Sequence, residues 1–195
     1  MPPSTPVNHF GPAAGITIGD QDRDFLPEVQ RRSGASLSLC FHCGACANGC
    51  PFVQAMDYPP NRVLRLVQFG LRQQALESST IWICVGCNTC SVQCPMNIDI
   101  PGVMDALRRL ALEEGALVAE PNILDFHREV LHSIKTYGRA HKLGIMLRYK
   151  VRVRQWFADL DVGLKLMAKR KLDWRASKVK NLKEITRMFL PHWKG

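Results

Sequence analysis

The sequence predicts an all-α protein built around two cysteine-rich loops and continued by a basic helical extension. All eight cysteines lie in two runs of identical spacing. The segments between and after these runs carry apolar residues at helical period, and no two-residue turn joins alternating segments as in a β-hairpin. The predicted organisation is an extended arm over 1–36, a cysteine domain over 37–115 and a basic helical extension over 116–195.

The predicted arm, residues 1–36, is rich in proline and glycine. Pro2, Pro3, Pro6 and Pro12 interrupt its first part, and no helical period is visible. A segment of this kind either stays unstructured or lies along a partner, and the sequence leaves both interpretations open.

The two cysteine runs share the pattern C-x2-C-x2-C-x3-C-P, closed by Pro51 and Pro95. This pattern is typical of bacterial 4Fe-4S sites, in which the fourth cysteine of each run ligates the cluster of the other run. The sequence therefore predicts two 4Fe-4S clusters with crossed ligation. The first cluster is assigned to Cys40, Cys43, Cys46 and Cys94, and the second to Cys84, Cys87, Cys90 and Cys50.

Other cysteine chemistry fits the pattern less well. Zinc sites usually pair two separated C-x2-C knuckles, whereas here four cysteines crowd each run and a proline follows both. A thioredoxin-like dithiol needs only a single C-x-x-C, whereas each run here contains overlapping C-x-x-C pairs. Disulfides require an oxidising compartment, and the N-terminal sequence has no apolar signal segment, so we expect a cytoplasmic protein with reduced thiolates.

Helices are predicted between and after the cysteine runs. In the insert Phe52 to Ile83, Asn61 is expected to cap one helix with apolar positions from Val63 to Ala75. After the second run, Asp99 as N-cap, Pro101 in the first turn and Gly115 as terminator predict a further helix.

The extension is helical in pattern and strongly basic. Residues 1–120 carry 8 Lys/Arg against 11 Asp/Glu, and residues 121–195 carry 18 against 6. Ile123, Val130, Ile134 and Tyr137 share a helix face that ends at Gly138. Asn181 and Glu184 resemble a capping box at the start of a last helix.

Three interpretations of this positive charge stay open. A solvated face is the ordinary one. Nucleic-acid binding is the second, because nucleic-acid-binding proteins carry basic surfaces of this kind. No nucleic-acid-binding motif accompanies the charge, so a nucleic-acid partner is not expected. The third interpretation is docking onto an acidic partner protein or onto an anionic membrane surface. The membrane surface would suit the apolar residues Trp156, Phe157, Leu160, Leu164 and Met167, but a partner protein is favoured. A membrane-spanning helix is excluded, because no apolar run of about 18 residues exists.

Motifs of substrate chemistry are missing from the chain. It has no G-x-G-x-x-G loop after a strand, no P-loop and no nucleophile elbow, so no catalytic residue is predicted. The sequence instead predicts an electron-transfer subunit that connects a redox cofactor on one protein to an acceptor on another. His42, inside the first run, is a candidate for tuning a cluster, although a solvent-facing histidine is the more common case.

The segment from Leu37 to Gly115 resembles the C subunit of heterodisulfide reductase. The resemblance rests on the doubled cysteine run, on Ile81-Trp-Ile-Cys84, on Asn97-Ile-Asp-Ile-Pro101 and on Ala106-Leu-Arg-Arg-Leu-Ala111. It implies an α-helical ferredoxin fold with two 4Fe-4S clusters on the cysteines named above. It also implies electron relay between a flavin-containing A-like subunit and a cysteine-rich B-like subunit that converts a disulfide.

The extension is more similar to the C subunit of the heterodisulfide-reductase-like complexes of sulfur-oxidising bacteria. This similarity rests on Tyr137-Gly-Arg-Ala-His141, Arg148-Tyr-Lys150 and Lys169-Arg-Lys-Leu172. It implies a place in sulfur metabolism.

Overall fold

A computed structural model describes residues 22–153 and 178–189, and these ranges are helical without any β-strand. The all-α prediction is therefore confirmed for the part described. The helices are α1 (Phe25–Ser33), α2 (Ala45–Asn48), α3 (Pro60–Gln68), α4 (Arg72–Leu76), α5 (Thr80–Ile83), α6 (Thr89–Val92), α7 (Ile100–Glu114), α8 (Pro121–Tyr137), α9 (Lys142–Val153) and α10 (Leu182–Met188). Short 3₁₀-helices occupy Leu37–Leu39 and Val53–Ala55.

The chain divides into two compact units, Met1–Glu120 and Pro121–Gly195. In the first unit α7 is the central element, and α1, α4, α5 and α6 all pack against it. Its inner face is fully buried through Val103, Met104, Leu107 and Leu110. This helix therefore contacts both α5, which precedes the second cysteine run, and α6, which lies within that run.

Helix α7 begins and ends where the sequence predicts. The Asp99 carboxylate accepts a hydrogen bond from the Gly102 N–H at 3.1 Å, and Pro101 lies in the first turn. Gly115 closes the helix at φ 68°, a left-handed conformation that glycine adopts readily. The prediction of this helix is confirmed.

The predicted extended arm is wrong for its last part, because residues 25–33 form α1. Phe25 and Val29 are completely buried, and α1 packs on α7 and α3. Tertiary burial stabilises this short helix, since so short a segment is marginal by itself. Residues 1–21, with Pro2, Pro3, Pro6 and Pro12, lie outside the described ranges.

The single helix predicted in the insert is also wrong. Helix α3 ends at Gln68, and α4 starts only at Arg72. Between them Gly70 has φ 69°, which breaks the helical path. The start differs as well, because Pro59 takes the N-cap position and Pro60 opens the helix, so that Asn61 is not the cap.

The second unit contains α8, α9 and α10. Helix α8 ends before Gly138, whose N–H donates to the Ile134 carbonyl at 2.8 Å, as predicted. Helix α10 follows Asn181, but the capping box does not form, because the Asn181 amide instead donates to the Glu184 carboxylate at 3.4 Å. Lys169 to Leu172 and the apolar series from Trp156 to Met167 lie outside the described ranges. The docking role of the extension stays a prediction.

Candidate metal centre

The two cysteine runs adopt the same backbone path. In the first run the left-handed positions are His42 (φ 61°) and Gly44 (φ 80°), and the equivalent positions in the second run are Gly86 (φ 66°) and Asn88 (φ 63°). Each pair is followed by a four-residue helix, α2 or α6. Two left-handed residues in each run wind the chain back on itself, so the two runs share one backbone path between their first and third cysteines.

Backbone hydrogen bonds close both ends of each winding, and those at the fourth cysteines are equivalent in the two runs. The Cys40 N–H donates to the Leu37 carbonyl at 3.0 Å, and the Cys84 N–H donates to the Thr80 carbonyl at 3.1 Å. At the other end of the runs, the N–H groups of Cys50 and Cys94 each donate to a carbonyl three residues earlier, both at 3.2 Å. The two cysteine runs therefore form an internal structural repeat.

Helices α2 and α6 pack against each other just before the two fourth cysteines. The Gln93 side chain lies directly over Gly49, because a Cβ added at Gly49 would overlap Gln93 Oε1. Gly49 directly precedes Cys50, and Gln93 directly precedes Cys94. The close approach brings the ends of both runs together, which is the arrangement that an exchange of fourth cysteines requires.

A cavity at the second run brings cysteines of both runs together. Cys84, Cys87 and Cys90 line it together with Cys50, whereas Cys40, Cys43, Cys46 and Cys94 do not. The other lining side chains are apolar, including Phe52, Met56, Val85, Ile100 and Met104. Thiolates in apolar surroundings are the soft donor set that iron–sulfur clusters use, whereas magnesium and calcium need oxygen ligands. The residues present therefore fit a 4Fe-4S cluster.

The third cysteine of each run is buried and the second is exposed. Cys46 and Cys90 are 7% and 8% accessible, whereas Cys43 and Cys87 are exposed. Burial raises the pKa of the Cys46 and Cys90 thiols to about 11. Because a cluster binds thiolates, its assembly at these positions releases protons from the two thiols.

The other thiols of the second run respond to particular neighbours. Burial raises the pKa of Cys84, and the positive charge of Arg108 acts in the opposite direction. The pKa of Cys87 is lowered by its hydrogen bond with the Thr89 hydroxyl, with the Cys87 sulfur and Thr89 Oγ1 3.4 Å apart. Sequence reasoning missed the influence of Arg108 on Cys84.

A hydrogen-bonded chain connects the first run to α3. His42 Nε2 lies 2.7 Å from Gln68 Oε1, and the Gln68 amide donates to the carbonyls of Leu37 at 2.9 Å and Cys40 at 3.3 Å. The expectation of a plain solvent-facing histidine is wrong, because His42 is partly buried and hydrogen-bonded. Sequence reasoning missed Gln68, which looks like an ordinary polar position of an amphipathic helix.

Asp57 fixes the segment that leads into the second run. Its carboxylate accepts hydrogen bonds from the N–H groups of Ser79 at 2.9 Å and Thr80 at 3.0 Å, and from the Thr80 hydroxyl at 2.7 Å. Thr80 is fully buried. An aspartate after the first run thus anchors the start of α5, which carries Trp82 and leads to Cys84. No local pattern in the sequence indicates this contact.

Comparisons with known proteins agree with this geometry. A family model described as a 4Fe-4S dicluster domain matches residues 36–98. The chain is 32% identical to the second iron-sulfur C subunit of the CoB–CoM heterodisulfide reductase of Methanocaldococcus jannaschii, over 65% of this chain and 69% of that protein. It is 35% identical to a protein of Archaeoglobus profundus described as like the C subunit of heterodisulfide reductase, over 59% of each chain.

A third relative is the C subunit of the H(2):CoB-CoM heterodisulfide,ferredoxin reductase of Methanothermobacter marburgensis. It is 30% identical over 51% of this chain and 54% of its own length. The chain thus spans about half the length of this relative. The domain match and the eight cysteines support 4Fe-4S clusters as the cofactor.

Proposed function

Because the chain belongs to the family of heterodisulfide reductase C subunits, we propose that it relays single electrons through two 4Fe-4S clusters inside a multi-subunit oxidoreductase. A 4Fe-4S cluster supplies one-electron chemistry when bound. The proposed donor and acceptor are a flavin-containing A-like subunit and a cysteine-rich B-like subunit that converts a disulfide or sulfur substrate. Within this proposal the complex works in the cytoplasm.

One observation carries the proposal, namely the position of Cys50. It belongs to the first run in sequence but lines the cavity of Cys84, Cys87 and Cys90. We assign these four thiols to one cluster and, by the internal repeat, Cys40, Cys43, Cys46 and Cys94 to the other. Such crossing supports a relay, because each run then contacts both clusters and keeps them close together.

The surface at each run suits the entry and exit of electrons. Phe41 and Val85 follow the first cysteine of their runs, and each is 61% exposed. Cys43 and Cys87 are exposed nearby in sequence. Exposed large apolar side chains beside redox ligands favour partner docking at these points, because docking excludes water from the path of the electron.

The charge of the second unit supports docking to an acidic partner. Residues 121–195 carry 18 Lys/Arg against 6 Asp/Glu. Exposed apolar residues, among them Leu147 and Val151 of α9, accompany this charge. None of the helices in 22–153 and 178–189 has the length and apolarity needed to cross a bilayer.

The proposal is tested by exchanging one cysteine at a time. The anaerobically purified wild type should contain about eight irons and give the EPR signals of two interacting 4Fe-4S clusters on reduction. Cys50→Ser should disturb the cluster of Cys84, Cys87 and Cys90, and Cys94→Ser should disturb the other one. The two variants are matched controls for each other, because each changes the fourth position of its run.

Two outcomes would contradict the proposal. A zinc content in place of iron in freshly isolated protein would remove the relay. Damage by Cys50→Ser to the cluster of its own run would refute the crossed assignment while leaving the relay in place. The proposed partners are tested by affinity purification of the native complex under anaerobic conditions, with flavin content and the identity of the co-purifying chains as the measurements.

A further inference from the structure

Two buried N–H donors near the second run lack hydrogen-bond acceptors within the described residues. They are Nε of Arg108 and Nε1 of Trp82. Trp82 is only 2% exposed and lies two residues before Cys84. Arg108 lies on α7, and α5, the helix of Trp82, packs on α7. Buried donors without acceptors are rare in native proteins, and each one calls for an explanation.

The surroundings of Arg108 point toward sulfur. Ile100 and Met104 of α7 line the cavity of Cys84, Cys87, Cys90 and Cys50, and Arg108 follows Met104 by four residues on the same face of this helix. In the described part of the chain Arg108 forms no ion pair, whereas its neighbour Arg109 pairs with Asp105 at 2.8 Å. Arg72, another arginine of this unit, pairs with Asp22, Glu28 and Glu114.

The first run has a different environment. At the position equivalent to Gly86 it carries His42, which is hydrogen-bonded to Gln68. The Gln68 amide in turn donates to the Cys40 carbonyl at 3.3 Å. The backbone repeat of the two runs is therefore not accompanied by a repeat of the side chains around them.

We propose that Arg108 is a positioning residue that raises the reduction potential of the cluster held by Cys84, Cys87, Cys90 and Cys50. This inference rests on the proposed function, since it requires a cluster at these thiols. Reduction adds an electron to a centre that its thiolates already make negative. A nearby fixed cation stabilises the reduced form more than the oxidised form, so the potential rises. The indole N–H of Trp82 contributes a second donor in the same direction.

The test compares Arg108→Gln with Arg109→Gln in the full chain under anaerobic conditions. The two arginines are adjacent on α7, but Arg109 is exposed and paired with Asp105. EPR-monitored redox titration measures the midpoint potential of each cluster. Arg108→Gln should shift one of the two midpoint potentials to a more negative value. The expected change is at least tenfold in the equilibrium constant of reduction, which is about 59 mV for one electron. Arg109→Gln should leave both midpoints in place.

Further variants keep the inference falsifiable if Arg108→Gln binds iron poorly. Arg108→Lys keeps the positive charge, so its midpoint potential should stay within roughly 28 mV of the wild-type value. This bound corresponds to about a threefold change in the equilibrium constant of reduction. A tenfold shift in Arg108→Lys would overturn the role of the charge. Trp82→Phe removes only the indole donor and should shift the same midpoint by less than Arg108→Gln does.

The outcomes separate this inference from the proposed function. A wild type without two titrating cluster signals contradicts the proposed function itself. A wild type with two signals and an Arg108→Gln variant with unchanged midpoints contradicts only the role of Arg108. The shifted signal must also be the one that Cys50→Ser disturbs. A shift confined to the other signal would overturn the assignment of Arg108 to the second cluster.

Discussion

Gly70 lies where the insert between the cysteine runs breaks into α3 and α4, and its substitution by alanine tests how this break is held. Gly70 has φ 69°, and Gly115 has nearly the same conformation at φ 68°. A Cβ at Gly70 would overlap the Asp22 carbonyl oxygen, whereas a Cβ at Gly115 would meet nothing within 4 Å. The two glycines therefore share the backbone cost of a side chain but differ in the space available for it.

The expected cost of each substitution follows from these contacts. The left-handed conformation costs a non-glycine residue roughly 1–2 kcal/mol, and this applies to both Gly70→Ala and Gly115→Ala. At Gly70 the Asp22 backbone must also move, which breaks the hydrogen bond from its N–H to the Gly70 carbonyl at 2.9 Å. That bond is worth about 1 kcal/mol, and the displaced Asp22–Arg72 ion pair adds up to about 1 kcal/mol.

Gly70→Ala should therefore lower the free energy of unfolding by about 1–2 kcal/mol more than Gly115→Ala does, on these same values. For a chain of this size the difference corresponds to roughly 2–8 °C in Tm. The assay is anaerobic thermal unfolding followed by circular dichroism, with iron content measured for each variant. Equal Tm values for the two variants would refute the argument that the Asp22 contact, and not the backbone conformation alone, requires a glycine.

Three further changes test the contacts around the runs. Asp57→Ala removes the acceptor of the buried Thr80 N–H and hydroxyl, so it should lower the free energy of unfolding by about 3 kcal/mol, as measured by urea denaturation. The control is Asp105→Ala, which removes an exposed ion pair and should change the free energy of unfolding by about zero. The Asp24 N–H and Arg72 lower the pKa of Asp22, and Arg72 lowers the pKa of Glu28, so the stabilisation by Arg72 is present above about pH 5 and is lost as the pH falls further. The difference in urea midpoint between wild type and Arg72→Met should therefore narrow between pH 7 and pH 4. His42→Gly imitates Gly86 and should retain the fold while changing the EPR signal of the first cluster only.

Each of these expectations has an opposing result. An Asp57→Ala protein as stable as Asp105→Ala would mean that the α5 anchor contributes nothing. A difference in urea midpoint between wild type and Arg72→Met that stays constant across the pH range would show that the ionised carboxylates are not the source of the stabilisation. Visible absorption at each pH identifies the samples that still hold iron. A changed signal of the second cluster in His42→Gly would contradict the separation of the two environments.

The parts of the fold that the sequence predicts are those with local signals. Asp99, Pro101 and Gly115 act within the helix that they begin and end, so α7 was predictable from its own residues. The cysteine runs are equally local, because their spacing reflects the winding around one metal centre. Gly138 likewise ends α8 through a hydrogen bond to the preceding turn.

The missed features depend on residues far apart in the chain. The break at Gly70 is held by Asp22, and α1 exists because Phe25 and Val29 are buried by other helices. Similarly, Asp57 finds its partners Ser79 and Thr80 only after the insert has folded back on itself. A sequence pattern of period 3.6 contains no information on such contacts, because they depend on which segments become neighbours.

The site combines a symmetric backbone with asymmetric surroundings. The two runs share the same backbone winding, and this part follows from the repeated sequence pattern. The side chains around the runs differ, with His42 and Gln68 at the first and Arg108 and Trp82 at the second. Two clusters in identical surroundings would have equal potentials and no preferred location for an electron. Because these neighbours differ in charge and in hydrogen bonding, we expect unequal potentials, which would give a relay between two different partners an energetic direction.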